Sequence, residues 1–330
     1  MRGGDSRSYD GSRISVRLSD RDRCTTLPCM NWIVLSLLSA LVLGVYDVAK
    51  KLSVRGNAVP AVLLANVSVG AAICLPLIIW SAVSPDSLPI ELLRVDSLSM
   101  VQHGLIFAKA CLVGASWTFA FFALKHLPLS IASPIRATSP FWTILIAIPF
   151  LGERPTVMQW IAIAITLGGF WMFSVVGRRE GIRFTRDRWV GCMVVATVLG
   201  ALSGIYDKIL LQTLGMRPTN VQVWFAVYLV IVMLPLFVRW YKRDRGLVPF
   251  EWRWVILLVS PLLLIADMLY FTAVADPEAL IAVISTLRRC SVVIAFAVGI
   301  KMFGEVNFGA KAVCVAAILV GVLMLALGKA

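Results

Sequence analysis

The chain has 330 residues, of which 59% are hydrophobic and 15% charged, with a mean hydropathy of +0.87. Soluble globular proteins sit near ~45–50% apolar and ~25% charged, so these proportions exclude that class and point to a bilayer. The net charge of +13 comes from 31 Lys and Arg against 18 Asp and Glu. The basic residues gather in connections without interleaved aromatics, which argues against a nucleic-acid surface and makes anionic lipid headgroups the expected counter-charge.

Residues 1–29 hold six Arg, four Asp and few apolar side chains. Such a segment cannot bury enough surface to fold alone and is expected to be a disordered tail. Met30-Asn31-Trp32 opens the first apolar run directly, an arrangement that predicts a translation start at Met30. Ten apolar segments follow, at 32–52, 59–83, 100–124, 128–151, 157–177, 189–212, 221–239, 254–274, 279–302 and 308–328. Each is long enough to cross ~30 Å of hydrocarbon, so the expected fold is an all-α integral membrane protein with ten transmembrane helices. Ser39-Ala40 in the first segment resembles a leader cleavage site. However, its Gly44-Val45-Tyr46-Asp47 recurs 160 positions on as Gly204-Ile205-Tyr206-Asp207, and a discarded leader has no reason to echo an internal helix.

A longer phrase is also said twice. Ser133-Pro134-Ile135-Arg136-Ala137-Thr138-Ser139 leads to Leu151-Gly152-Glu153, and Ser285-Thr286-Leu287-Arg288-Arg289-Cys290-Ser291 leads to Phe303-Gly304-Glu305, with equivalent residues 152 positions apart. The chain therefore divides into a first repeat at 30–177, a basic connection at 178–188 and a second repeat at 189–330. Five helices per copy is an odd number, so the second copy enters the membrane upside down: two inverted five-helix repeats. Basic residues are concentrated after odd-numbered segments (Lys50, Lys51, Arg55, Lys125, five Arg between 178 and 188, Arg239, Lys242, Arg243, Arg245, Arg253). That bias would put those connections in the cytoplasm; an arginine-rich tail pulls the other way.

Ionisable groups at membrane depth are costly and are functional candidates. Arg136 lies about 12 Å into segment four and Arg288 about 13–14 Å into segment nine at 1.5 Å per residue. Ser133 and Ser139, and Ser285 and Ser291, share the helical faces of these arginines because i and i+3 are neighbours. The two stripes suit a carboxylate or phosphate, so a substrate-binding site is one reading; the other pins each arginine to an intramembrane aspartate. Lys109 and Asp267 have no counterpart in the other copy, where Pro261 and Ala115 stand, and are expected either to serve substrate selectivity or proton coupling or to be simple partners of Arg136 or Arg288.

Tyr46 with Asp47, and Tyr206 with Asp207, are expected at opposite mouths of a cavity as gating or coupling groups, or as interfacial ion pairs. Lys50 and Lys51 are local partners for Asp47. Arg289 points away from Arg288, to the cavity or to headgroups. These charges, before the boundary lysines, lean one unit positive, which favours an anionic or zwitterionic solute. Gly152-Glu153 and Gly304-Glu305 are expected to be structural, each carboxylate facing the N-terminal turn of the next helix. Gly168-Gly169 and the small residues of segment ten suggest close packing.

Seven cysteines without CxxC spacing and two histidines without metal-ligand spacing give no disulfide framework, metal site or cofactor. Protease, hydrolase and phosphate-loop motifs are absent, so a membrane enzyme or a scaffold stands only as an alternative. The ten segments, the duplicated halves, Ser139-Pro140-Phe141, Gly168-Gly169 and the paired Gly-Glu motifs resemble the EamA branch of the drug/metabolite transporter superfamily. That resemblance implies a secondary active transporter with a central cavity lined by both halves and no ATP-binding domain. The expected activity is alternating-access movement of a small polar metabolite across the cytoplasmic membrane, or export of drugs or amino acids. The expected partners are a small-molecule substrate, membrane lipids and a coupling proton or counter-substrate, with the chain as monomer or homodimer. A basic residue midway along both segment four and segment nine departs from a generic member.

Overall fold

The computed structural model describes residues 32–84, 87–90, 93–139, 141–143, 145–146, 156–178, 186–277, 279, 281–291, 293–294, 298 and 308–327. Among these residues the chain is all helical: α1 (Trp32–Val54), α2 (Val59–Val83), α3 (Met100–His126), α4 (Leu129–Ala137), α5 (Val157–Arg178), α6 (Arg188–Lys208), α7 (Pro218–Arg243), α8 (Val255–Ala275), α9 (Ile281–Arg288) and α10 (Phe308–Leu327). A π-helical turn, Ile209–Thr213, continues α6. Helices α1, α2, α3, α6, α7 and α8 are long and apolar enough to cross a membrane. The N-terminal tail and Gly152, Glu153, Gly304 and Glu305 lie outside the described residues.

Local chemistry sets the helix ends. Gly56 and Gly215 both adopt positive φ, 67° and 61°, where only glycine is unstrained. After each turn a proline opens the next helix, Pro60 in α2 and Pro218 in α7, where its missing N–H costs nothing. Ser99 and Gln102 form a reciprocal capping box at the start of α3, and the Asp187 carboxylate accepts from the Trp189 N–H at 2.8 Å at the start of α6. Asn57 ties the α1–α2 turn to the α7–α8 connection, donating to the Glu251 carbonyl at 2.8 Å and accepting from the Glu251 N–H at 3.0 Å.

Packing pairs each helix of one half with a helix of the other. The most extensive contacts join α1 to α8, α3 to α6, α2 to α7 and α5 to α10. Exchanging the two halves (α1 with α6, α2 with α7 and so on) turns this set of pairs into itself. Closest approach comes at Gly44 and Gly114: a Cβ at Gly44 would lie 2.7 Å from Ile294 Cβ, and one at Gly114 would lie 2.6 Å from Val232 Cγ1. The expectation of tight packing at Gly168 is corrected, since a Cβ there would meet nothing within 4 Å.

A matched pair of clips closes the corners between α3 and α4 and between α8 and α9. The Lys51 ammonium, at the end of α1, donates to the carbonyls of Leu124 and Leu127 at 2.6 and 2.7 Å. The Gln212 amide, in the π turn, donates to the carbonyls of Val274, Asp276 and Ala279 at 2.9, 2.8 and 3.2 Å. Leu124 and Asp276, and Leu127 and Ala279, are each 152 positions apart, the offset of the sequence repeat. A helix C-terminus leaves carbonyls without intrahelical partners, and both clips supply donors to them.

Candidate substrate cavity

The helical period builds the site. Helix α1 presents Leu43, Tyr46 and Lys50, α3 presents Lys109, Val113 and Ser116, and α6 presents Gly200, Ser203 and Asp207. Helix α8 adds Leu263, Asp267 and Tyr270, and α9 adds Ile281, Ser285 and Arg288. These spacings of three, four and seven put each set on one helical face. With Arg136, Ser139, Thr143, Trp117 and Arg289 they enclose a cavity of about 150 Å³ between the two halves. Water occupies ~30 Å³ per molecule in the liquid, so the space holds about five waters or one small solute.

Three ion pairs cross the cavity wall. Arg136 pairs with Asp47 and Lys109 pairs with Asp207. Arg288 Nη2 donates to Asp267 Oδ1 at 2.8 Å. Both arginines are thus pinned by intramembrane aspartates, the second of the two readings the sequence left open. Tyr270 joins two of the pairs: its hydroxyl donates to Asp207 Oδ2 at 3.2 Å, and its ring lies 4.1 Å from the Arg288 guanidinium carbon. The Lys109 ammonium lies over the Phe271 and Phe225 rings at 4.3 and 4.9 Å. A cation over an aromatic face recovers part of what it loses on leaving water.

Two cations differ from these. Lys50 is 2% exposed, and its ammonium lies over the Phe121 and Tyr46 rings at 4.3 and 5.4 Å. It makes no hydrogen bond or ion pair among the described residues. Among the described residues Arg289 donates only to backbone carbonyls, those of Ser285 and Arg136, at 3.3 and 3.4 Å. Arg288 Nε is also buried without a partner among the described residues.

Placement of the remaining candidates is mixed. Ser139 and Ser285 line the cavity; Ser133 and Ser291 are buried but lie outside its lining. The Ser285 hydroxyl stands 3.5 Å from that of Thr143. Tyr46 and Asp207 line the same cavity, which replaces the expectation of two separate mouths, while Tyr206 lies off it and donates to the Leu105 carbonyl at 3.1 Å. Lys50 and Lys51 are buried residues of α1 and not loop charges. Asp47 takes Arg136 in place of them, because Lys51 is drawn to the carbonyls at the end of α3. Lys50 and Tyr270 are two of the lining residues that the sequence reading did not assign to the site. Tyr270 follows Asp267 by one helical turn, a signal that was available.

Residues 30–175, from just before α1 to near the end of α5, match the family described as EamA-like transporter family. Over these residues, less than half of its length, the chain resembles EamA-type membrane transporters. Over 114 residues it is 28% identical to a probable terminal-alkyne amino-acid exporter of Streptantibioticus cattleyicolor, covering 34% of this chain and 37% of that protein. A 49-residue stretch is 43% identical to the pseudopaline exporter CntI of Pseudomonas aeruginosa, covering 14% of this chain and 17% of that protein. The chain thus aligns with little more than a third of the length of the first relative and less of the second. A solved structure described only as "Crystal structure of protein" superposes with a TM-score of 0.58 over 90% of this chain and 95% of its own, at 16% identity. That likeness shows a fold shared through both halves of the chain.

Proposed function

We propose that this chain is a secondary active transporter of the cytoplasmic membrane that exports a small polar metabolite, anionic or zwitterionic, by alternating access between two inverted five-helix halves. The observation that carries this reading is the charge of the cavity. Five basic groups (Lys50, Lys109, Arg136, Arg288, Arg289) face three carboxylates (Asp47, Asp207, Asp267), and low-dielectric walls focus such a surplus onto an entering anion. The cavity volume of about 150 Å³ supports a metabolite over a drug-sized ligand, whose pockets run ~300–1,000 Å³. The exporter names of the two relatives support the outward direction.

Inversion is supported by the odd helix number per copy, by pairings that survive exchange of the halves and by the matched clips. Each ion pair joins two different helices, so opening to either side has to part or carry along at least one pair; the pairs are natural gating elements. A thermal-shift screen of amino acids and small carboxylates on the purified protein, followed by flux into proteoliposomes, tests the reading. Stabilisation by an anionic or zwitterionic solute that also crosses the vesicle membrane is the expected result. Response only to cationic or large apolar solutes would overturn it.

A further inference from the structure

We propose that Lys50 and Arg289, rather than the paired Arg136 and Arg288, form the seat for a small solute carrying two carboxylates. This rests on the transport reading above and sharpens it to one substrate class. Asp47, Asp207 and Asp267 each already hold a cation, which leaves two positive charges facing the cavity without a carboxylate among the described residues. The Lys50 ammonium feels Asp47 and Arg136 besides the two ring faces, but that carboxylate is already held by Arg136. A buried ammonium without an ion pair of its own among the described residues is costly to keep, and a site that must accept an anion is a reason to keep it. A neutral zwitterion fits less well, because its own ammonium would find the three carboxylates engaged.

The duplication supplies an internal control. The residues of the second copy that correspond to Lys50, counting from either the Tyr-Asp motif or the clip, are Leu210 and Leu211, at 0% and 4% exposure. The residue of the first copy that corresponds to Arg289 is Ala137, at 0% exposure. The same scaffold therefore packs with plain apolar side chains at both positions. The fold does not require the two cations, and each was placed in only one copy. Arg136 and Arg288, by contrast, are present in both copies and both are neutralised, as expected of scaffold charges.

The test uses the purified full-length protein, thermal stabilisation for binding and proteoliposome flux for transport, with succinate and L-glutamate against butyrate and L-glutamine. Succinate and glutamate are expected to bind far better than butyrate and glutamine. Lys50→Met and Arg289→Met should each weaken the dicarboxylates roughly thirtyfold or more, the effect of removing one partner of a buried charge pair. Lys50→Arg should restore part of the loss. The ligand-free Lys50→Met protein should melt at a higher temperature than the parent, a sign opposite to that of a merely structural lysine. Equal binding of glutamate and glutamine, or unchanged dicarboxylate affinity in both Met variants, overturns the proposal. Dicarboxylates that bind but do not cross leave the seat standing and sink the transport reading. Neutral solutes that cross while dicarboxylates fail to bind do the reverse.

Discussion

The two halves close the same corner with different chemistry. In the first half a lysine ammonium holds the carbonyls at the end of α3; in the second a glutamine amide holds those at the end of α8. Lys51 follows Asp47 by four residues and Gln212 follows Asp207 by five. The π turn Ile209–Thr213 takes up the extra residue, because its i→i+5 bonding widens one turn. A hydrogen bond from an ion contributes ~1.5–3 kcal/mol, a neutral one ~0.5–1.5, and a cation also complements the helix C-terminal dipole. The ion pairs differ as well: Asp47 finds Arg136 within its own half, whereas Asp207 reaches Lys109 in the other. The two corners are therefore latched unequally, with the Gln212 corner the weaker.

The largest expected effect comes from the pair that bridges the halves. Lys109→Met strands Asp207, which should destabilise the protein by ~3–5 kcal/mol, and adding Asp207→Asn should recover most of the lost melting temperature. No recovery in the double variant would mean that the pair is not the bridge. Next, Lys51→Met should cost ~1.5–3 kcal/mol and Gln212→Leu ~0.5–1.5 kcal/mol, read as thermal unfolding in detergent. Equal losses would erase the asymmetry between the corners. Gln212→Lys sharpens the same comparison: it should slow proteoliposome flux by tightening the weaker corner, and a rate equal to the parent's would count against the latch. The smallest effect is a control on packing. Gly168→Ala should gain up to ~1 kcal/mol from helix propensity, whereas Gly114→Ala, facing Val232 at 2.6 Å, should lose ~1–3 kcal/mol.

Much of this was legible in the sequence where a physical rule acts locally. Segment lengths follow bilayer thickness, and six of the ten segments coincide with described helices long and apolar enough to cross a membrane; of segments four and nine, α4 and α9 describe only short stretches. The 152-residue offset reappears in the clip carbonyls. Arg136, Arg288, Lys109 and Asp267 stand out in the sequence as charge at depth, and all four face one cavity. What failed was partner choice. Lys51 at i+4 from Asp47 looks like its partner on a helical wheel, but the wheel shows neither the open carbonyls of α3 nor Arg136 arriving from α4. Lys50 was read as a boundary lysine because hydropathy falls at the end of the first segment; only the packing of Phe121 and Tyr46 around it reveals the burial. The Gly-Glu turns fall outside the described residues, so their structural role stays a sequence expectation.

The most direct measurement is two-sided cysteine accessibility at Ser203, a cavity-lining residue of α6, introduced as Ser203→Cys in a background freed of native cysteines. With a membrane-impermeant thiol reagent applied to right-side-out and to inside-out vesicles, alternating access predicts labelling from both sides and protection by a transported dicarboxylate. Labelling from one side only, or only by lipid-soluble reagents, would contradict a cavity that opens in turn to each face of the membrane.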